Sequence, residues 1–167
     1  MHREEIRLPG GGVLEIRDML PEDTTWVARL EEQTFSQPWS EHAYRQELCL
    51  PDRLFVAAYL DGKPAGYCGI IALAGEGDIT NVAVAADFRR RGVGRAMLQT
   101  ALKWGEQMDL QEFTLEVRCS NQPAILMYES LGFVGEGVRR NFYEKPWEDA
   151  LIMWKRQAGH GIITTEK

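Results

Sequence analysis

Apolar residues alternate with polar ones in some stretches of the chain and recur every three or four positions in others. The switches between these rhythms set out the elements. Val13–Met19 alternates and reads as a strand. Pro21-Glu22-Asp23 then opens a helix, with proline and two acids in a first turn where the macrodipole favours negative charge. Trp26, Val27, Leu30 and Phe35 give that helix an apolar side, and Ser36-Gln37-Pro38-Trp39 breaks it. Ser40 is placed to cap a short second helix that runs to about Cys49. Leu54–Leu60 and Ala65–Leu73 read as an antiparallel pair around a tight Asp61-Gly62-Lys63-Pro64 turn. Gly75-Glu76-Gly77 turns the chain into a further strand at Asp78–Val84.

The longest helical pattern is Gly92–Met108, with Val93, Met97, Ala101, Trp104 and Met108 on one stripe. Glu112–Val117 is a strand, and Gln122–Leu131 a helix closed by Gly132 in the left-handed position. Phe133–Tyr143 and Ala150–Arg156 make a last antiparallel pair around Glu144–Asp149, and the tail after Ala158 is expected to fray. The strand-helix-strand unit at 78–117 demands a parallel pairing with a crossover, while hairpins flank it on both sides. The pattern therefore predicts an α/β protein with one mixed, mostly antiparallel sheet of about seven strands and about four helices on its two faces. A single domain is expected over 1–158, with 159–167 as a flexible tail. Gly10-Gly11-Gly12 lacks a following Gly-Lys-Ser/Thr, so it reads as a turn and not as a phosphate loop.

With 167 residues, 44% hydrophobic and 26% charged, the chain has the make-up of a soluble domain with one core. Its net charge of −6 and lack of a basic face argue against general nucleic-acid binding and are compatible with a cationic substrate. No apolar run approaches membrane-spanning length, and Met1-His2-Arg3-Glu4-Glu5 leads into no signal-peptide core, so a cytoplasmic location is expected. Cys49, Cys68 and Cys119 are odd in number and show no CxxC spacing. They suggest a reducing compartment and serve as small apolar filler. His2, His42 and His160 have no metal-ligand spacing, and no metal is expected.

One segment stands apart from this acidic background. Val82-Ala83-Val84-Ala85-Ala86-Asp87-Phe88-Arg89-Arg90-Arg91-Gly92-Val93-Gly94-Arg95 runs from an apolar strand through three arginines into a glycine-opened helix. A helix N-terminus offers unpaired N–H groups and the positive end of the macrodipole, and glycines let a bulky diphosphate approach the backbone. The segment reads as a site for a phosphorylated small molecule, with a solvated charged turn as the bland alternative. A dinucleotide fingerprint is ruled against by Met97, which stands where its third glycine belongs, and no Walker loop is present.

Arg89-Arg90-Arg91-Gly92-Val93-Gly94 resembles the acyl-CoA motif Arg/Gln-x-x-Gly-x-Gly/Ala of the GNAT N-acetyltransferases. The resemblance covers nearly the whole chain in order. Leu115-Glu116-Val117-Arg118-Cys119-Ser120-Asn121 and Ala124-Ile125-Leu126-Met127-Tyr128-Glu129-Ser130-Leu131-Gly132-Phe133 look like the RimI branch of that family. So do Val138-Arg139-Arg140-Asn141-Phe142-Tyr143 and Glu148-Asp149-Ala150-Leu151-Ile152-Met153. That branch comprises bacterial enzymes that acetylate the N-terminal alanine of a small-subunit ribosomal protein.

The resemblance implies acetyl-CoA as cosubstrate and a protein N-terminus, that of a ribosomal protein, as acceptor, with neither nucleic acid nor membrane as partner. It assigns the diphosphate to backbone N–H groups from Arg91 to Arg95, among Arg89, Arg90, Arg91, Gly92, Val93, Gly94 and Arg95. It assigns the pantetheine arm and the thioester oxygen to the strand holding Val82, Ala83 and Val84, and a further cofactor contact to Asn121. Glu116 would be the general base and Tyr128 the general acid that meets the leaving thiolate. Pro38, Trp39, Asn141, Phe142 and Tyr143 would wall the acceptor groove, with Phe142 departing from a tyrosine pair often seen there.

Each position also has a plainer reading. Glu116 fits a surface strand glutamate, Tyr128 a core aromatic in line with Ile125 and Leu131, and Asn121 a helix N-cap. Trp39 and Phe142 fit loop staples. Cys119 would permit a covalent acetyl-enzyme, but no histidine stands in the sequence to activate it, and related sequences often carry alanine there. Transfer to a lysine side chain or a small amine, and a non-catalytic acyl-CoA-binding module, remain as rival functions.

Overall fold

A computed structural model describes residues 1–157; the expected tail at 159–167 lies outside the described residues. The strands are β1 (Arg3–Arg7), β2 (Val13–Asp18), β3 (Arg53–Leu60), β4 (Lys63–Leu73), β5 (Glu76–Val84), β6 (Glu112–Arg118), β7 (Val134–Tyr143) and β8 (Glu148–Arg156). The helices are α1 (Thr24–Thr34), α2 (Glu41–Leu48), α3 (Val93–Gln107) and α4 (Gln122–Ser130), with short 3₁₀ turns at Pro21–Asp23 and Ala86–Phe88. All eight strands form one sheet in the order β1-β2-β3-β4-β5-β6-β8-β7. Every neighbouring pair is antiparallel except β5 and β6. No described helix is long and apolar enough to cross a membrane.

The expected mixed sheet is present with one strand more than the pattern predicted. β1 reads Arg-Glu-Glu-Ile-Arg and lies at the sheet edge, where charged residues protect the open hydrogen-bonding groups. One apolar residue cannot produce a detectable alternation. Gly10-Gly11-Gly12 supplies the β1–β2 turn, with Gly11 and Gly12 at φ +100° and +93°. The turn before β5 is Ala74-Gly75, both left-handed, so Glu76 and Gly77 belong to the strand. The stripe expected on α3 holds at Val93, Met97, Ala101 and Trp104; Met108 caps the helix and is exposed, because the helix has already ended.

Helices cover both faces. Val93, Met97 and Ala101 of α3 and Ile125 and Tyr128 of α4 pack over Ile16, Val56, Cys68, Phe113 and Leu115. On the opposite face Val27 and Leu30 of α1 and Tyr44 of α2 pack over Phe55, Ala57, Tyr67 and Ala83. Of the cysteines only Cys68 is buried filler; Cys49 is exposed and Cys119 half-buried.

Two irregularities shape the sheet where the candidate site lies. β5 pairs with β6 only through Glu76–Glu112, Gly77–Phe113 and Asp78–Thr114. Just beyond, Ile79 faces Ile70 and Asn81 faces Gly69, so Thr80 is an extra residue in β5. Such a bulge bends its strand and shifts the side-chain alternation by one. Ile79 accordingly lies under α3, while Asn81 and Ala83 turn to the α1 face. Gly69 is required opposite the bulge: a Cβ there would stand 2.7 Å from the Phe55 ring and 2.9 Å from Thr80 Oγ1. The two parallel strands part at this point and leave a cleft between their C-terminal halves.

Candidate active site

β5 leads through the Ala86–Phe88 turn to the N-terminus of α3. Gly92 caps that helix at φ +82°, a left-handed conformation that strains any residue with a Cβ. The first N–H bonded within the helix is that of Ala96, to the Gly92 carbonyl, so the N–H groups of Val93, Gly94 and Arg95 lead out of its end. A Cβ on Gly94 would meet Val84 Cγ2 at 3.3 Å and Met127 Sδ at 3.4 Å, which makes that turn the close floor of the approach. Arg89, Arg90, Arg91 and Arg95 are all exposed around it. Arg89 Nε donates to the Val84 carbonyl at 3.1 Å, and Arg95 Nε donates to Ser130 Oγ at 3.3 Å. Arg91 reaches back to the Gly11 carbonyl at 3.4 Å. The glycine pair and bare N–H groups fit an extended diphosphate, and the parted strands fit a narrow arm that would pair with Val82–Val84 on the side away from β4.

Glu116 stands in β6 past the last pairing with β5. Leu115 and Val117 belong to the core under α3 and α4, so the alternation turns Glu116 to the α1 face. Burial, then the nearby Asp78, hold its carboxyl above the usual carboxylate range against the opposing pull of Arg139, whose Nε lies 3.6 Å from Oε1. Partial desolvation raises Asp78 as well. The strand alternation gave no hint of Asp78, because a polar residue on a strand is ordinary until the neighbouring strand is known.

Burial, and next Glu116, push the Tyr143 phenol up to about 12, while Arg118 above its ring at 4.6 Å acts in the other sense. Tyr128 is buried against Phe133, ring centroids 5.9 Å apart, and burial and Tyr143 raise its phenol well above the ordinary range. Tyr143 thus lies close enough to act electrostatically on both Glu116 and Tyr128. Asn121 caps α4 by accepting from the Ala124 N–H at 3.4 Å, which is its plainer reading.

The acceptor-side residues separate into two groups. Trp39 is a staple: it packs on Tyr44 and Phe55, with centroids 5.3 and 6.4 Å away, and Pro38 beside it is exposed. Asn141 and Phe142 fall in an irregular stretch of β7 where the register slips between Arg139–Ala150 and Tyr143–Glu148. The Asn141 N–H donates to Asp149 Oδ1 at 2.9 Å, and Phe142 stays 44% exposed, its edge on Tyr143. Trp147 is more exposed still, and nothing in the structure explains it.

Two connections hold these walls to each other. Ser36 Oγ donates to the Glu144 carbonyl at 2.9 Å, and Gln37 Nε2 donates to Glu144 Oε2 at 3.0 Å. Arg118 Nη2 donates both to that carbonyl at 3.0 Å and to Ser36 Oγ at 3.3 Å. The loop after α1 and the loop after β7 therefore meet in a clasp. Neither Ser36 nor Glu144 carries a motif, so only the fold reveals the pairing.

The profile described as "Acetyltransferase (GNAT) family" matches residues 24–133. The chain is 35% identical over 140 residues, 83% of its own length and 93% of the other's, to a protein of Bacillus subtilis named a putative ribosomal protein bS18-alanine N-acetyltransferase. It is 35% identical over 74% of its length, and 84% of the relative's, to the ribosomal protein bS18-alanine N-acetyltransferase of Escherichia coli. The crystal structure of the ribosomal-protein-S18-alanine N-acetyltransferase from Escherichia coli superposes with a TM-score of 0.80 at 31% identity, covering 89% of this chain and 98% of that one. A profile match spanning most of the chain, relatives matched over most of their length and the same fold lead to one conclusion: the chain belongs to the GNAT family of acetyltransferases.

Proposed function

We propose that this protein transfers the acetyl group of acetyl-CoA to the N-terminal α-amino group of a protein, with the N-terminal alanine of a small-subunit ribosomal protein as the acceptor its relatives' names suggest. The observation that carries the reading is that β5 and β6 stop pairing after Asp78–Thr114, with Glu116 beyond that point in β6 and the α3 N-terminus following β5 in the chain. Backbone N–H groups at Val93, Gly94 and Arg95 would hold the diphosphate. Those of Val82–Val84 would pair with the pantetheine arm and support the thioester oxygen as negative charge develops there.

An α-amine has an ordinary pKa near ~8, within reach of a modest base, whereas a lysine amine near ~10.4 is harder to deprotonate. Glu116 takes a proton from the α-ammonium, directly or through a water, and the freed amine forms the C–N bond as the C–S bond breaks; the second proton that the nitrogen sheds on becoming an amide replaces, through solvent, the one Tyr128 gives up. Tyr128 donates to the departing thiolate; burial keeps its proton in place until that charge appears.

The clasp between Ser36, Gln37, Arg118 and Glu144 favours a chain end over an internal lysine, because it spans the groove an internal segment would have to cross. Three synthetic peptides test the choice: one beginning Ala-Arg with a free terminus, one blocked at the terminus, and one blocked but carrying a lysine. Release of the CoA thiol is expected with the first alone. Equal release from the lysine peptide would establish the lysine reading, and binding of acetyl-CoA without turnover on any amine would establish the binding-module reading.

Glu116 must be ionised to act, so activity falls as pH drops through its raised pKa. Asp78→Asn removes a negative neighbour, lets Glu116 ionise at lower pH, and is expected to move the acidic limb of kcat/KM downward. Arg139→Gln removes the opposing charge and is expected to move it upward. Matching pH profiles for all three proteins would show that this carboxylate does not control the limb.

A further inference from the structure

Glu31 lies on the apolar side of α1, one position past Leu30 and four past Val27, and is 0% exposed. A carboxylate is tolerated there only where hydrogen bonds replace water. Tyr44 Oη donates to Oε1 at 2.5 Å, Tyr67 Oη at 2.6 Å and Asn81 Nδ2 at 2.7 Å, while the Trp39 N–H donates to Oε2 at 3.0 Å. The donors come from α2, β4, β5 and the loop after α1. Burial pushes both phenols far above their usual range, so they remain donors throughout the working pH range.

Two of those donors lead to the acceptor side. The Trp39 N–H belongs to the loop that, through Ser36 and Gln37, makes one half of the clasp. Asn81 stands directly after the bulge, on the α1 face of the strand that borders the cleft. Its Nδ2 is committed to Glu31, which fixes the amide's orientation, and its Oδ1 is buried without a hydrogen-bond partner. Such an orphan is costly to keep, and an arriving donor would recover the cost.

We propose that Glu31 is a positioning residue for the acceptor: it locks the clasp-bearing loop and the Asn81 amide into one frame and holds Asn81 Oδ1, buried and unpartnered in the free protein, to accept an N–H of the amine substrate. The inference rests on the acetyl-transfer reading for the identity of that substrate. Glu31→Gln replaces one carboxylate oxygen with a donor that faces other donors, and the frame loosens. Asn81→Ala removes the presented oxygen and leaves Glu31 its other partners.

The test compares wild type, Glu31→Gln, Asn81→Ala and a control, Asp23→Asn. Asp23 is equally sealed at the far end of α1, where Arg17 donates to it at 2.7 and 3.0 Å, so its loss perturbs stability without reaching the loop or β5. Steady-state kinetics on the Ala-Arg peptide and amide hydrogen exchange at residues 36–40 are both read. Glu31→Gln and Asn81→Ala are expected to raise KM for the peptide about tenfold, with KM for acetyl-CoA unchanged. Glu31→Gln alone is expected to speed exchange at Trp39, while Asp23→Asn moves neither quantity. Should Glu31→Gln fold poorly, Tyr67→Phe removes one donor and is expected to show the same changes at smaller size. Unchanged peptide KM in Glu31→Gln and Asn81→Ala, or equal changes in Asp23→Asn, would overturn the inference. If wild type itself turned over no α-amine, the proposed function would fall, and the acceptor role of Glu31 with it. Faster Trp39 exchange in Glu31→Gln would still mark that failure as one of substrate and not of the frame.

Discussion

Glu116→Gln is expected to lower kcat by about 10²- to 10⁴-fold, the usual range for loss of a general base, with acetyl-CoA affinity unchanged. The substitution keeps the side chain's size and its place on the α1 face of β6, so the fold loses little. It removes the one property the chemistry needs, an oxygen able to take the amine's proton. The environment supports that role: burial and Asp78 raise the carboxyl, while Arg139 keeps it from rising further, which leaves it nearer to working pH than an ordinary glutamate. Stopped-flow release of the CoA thiol together with calorimetric titration of acetyl-CoA separates the two quantities. Equal losses in turnover and in cofactor binding would assign Glu116 a structural part instead.

Tyr128→Phe is expected to lower kcat by about 10²-fold, again without a change in acetyl-CoA affinity or melting temperature. Phenylalanine keeps the ring and its packing on Phe133 and Ile125, so the core under α4 stays filled. What disappears is the donor that meets the leaving thiolate. The effect should shrink with an acyl-CoA analogue whose leaving thiol is more acidic, because a better leaving group needs less help. A loss of the same size with both thioesters, or a large fall in melting temperature, would make Tyr128 a packing residue only.

How far the sequence led depends on the scale of the feature. Elements with a full hydrophobic rhythm, such as α3 and the β3–β4 hairpin, were legible because burial dictates their pattern. β1 was not, since Ile6 is the one apolar residue this edge strand turns to the core. The glycine-opened turn was legible for a different reason: Gly92 sits at φ +82°, where a Cβ is strained, and a Cβ on Gly94 would crowd Val84 and Met127.

The acceptor side was harder, because its parts are distant in the chain and meet only through the fold. Asp78 reaches Glu116 through a short parallel pairing, and Ser36 meets Glu144 across 108 positions. The Thr80 bulge that parts β5 from β6 could be read only from register. Glu31 did leave a trace, an acid on the apolar stripe of α1 between Leu30 and Phe35. Such a residue must find buried donors or destabilise the helix, and the pattern alone does not say where they come from.

The central claim is that the parted strands and the α3 N-terminus hold acetyl-CoA so that its thioester meets an amine beside Glu116. A crystal structure with a conjugate of coenzyme A and an alanine-first peptide tests it most directly. The account predicts the diphosphate on the N–H groups of residues 91–95, the arm paired with Val82–Val84, and the sulfur between Tyr128 and the amine that Glu116 faces. A conjugate bound elsewhere on the sheet, or one whose sulfur lies beyond reach of both side chains, would contradict it.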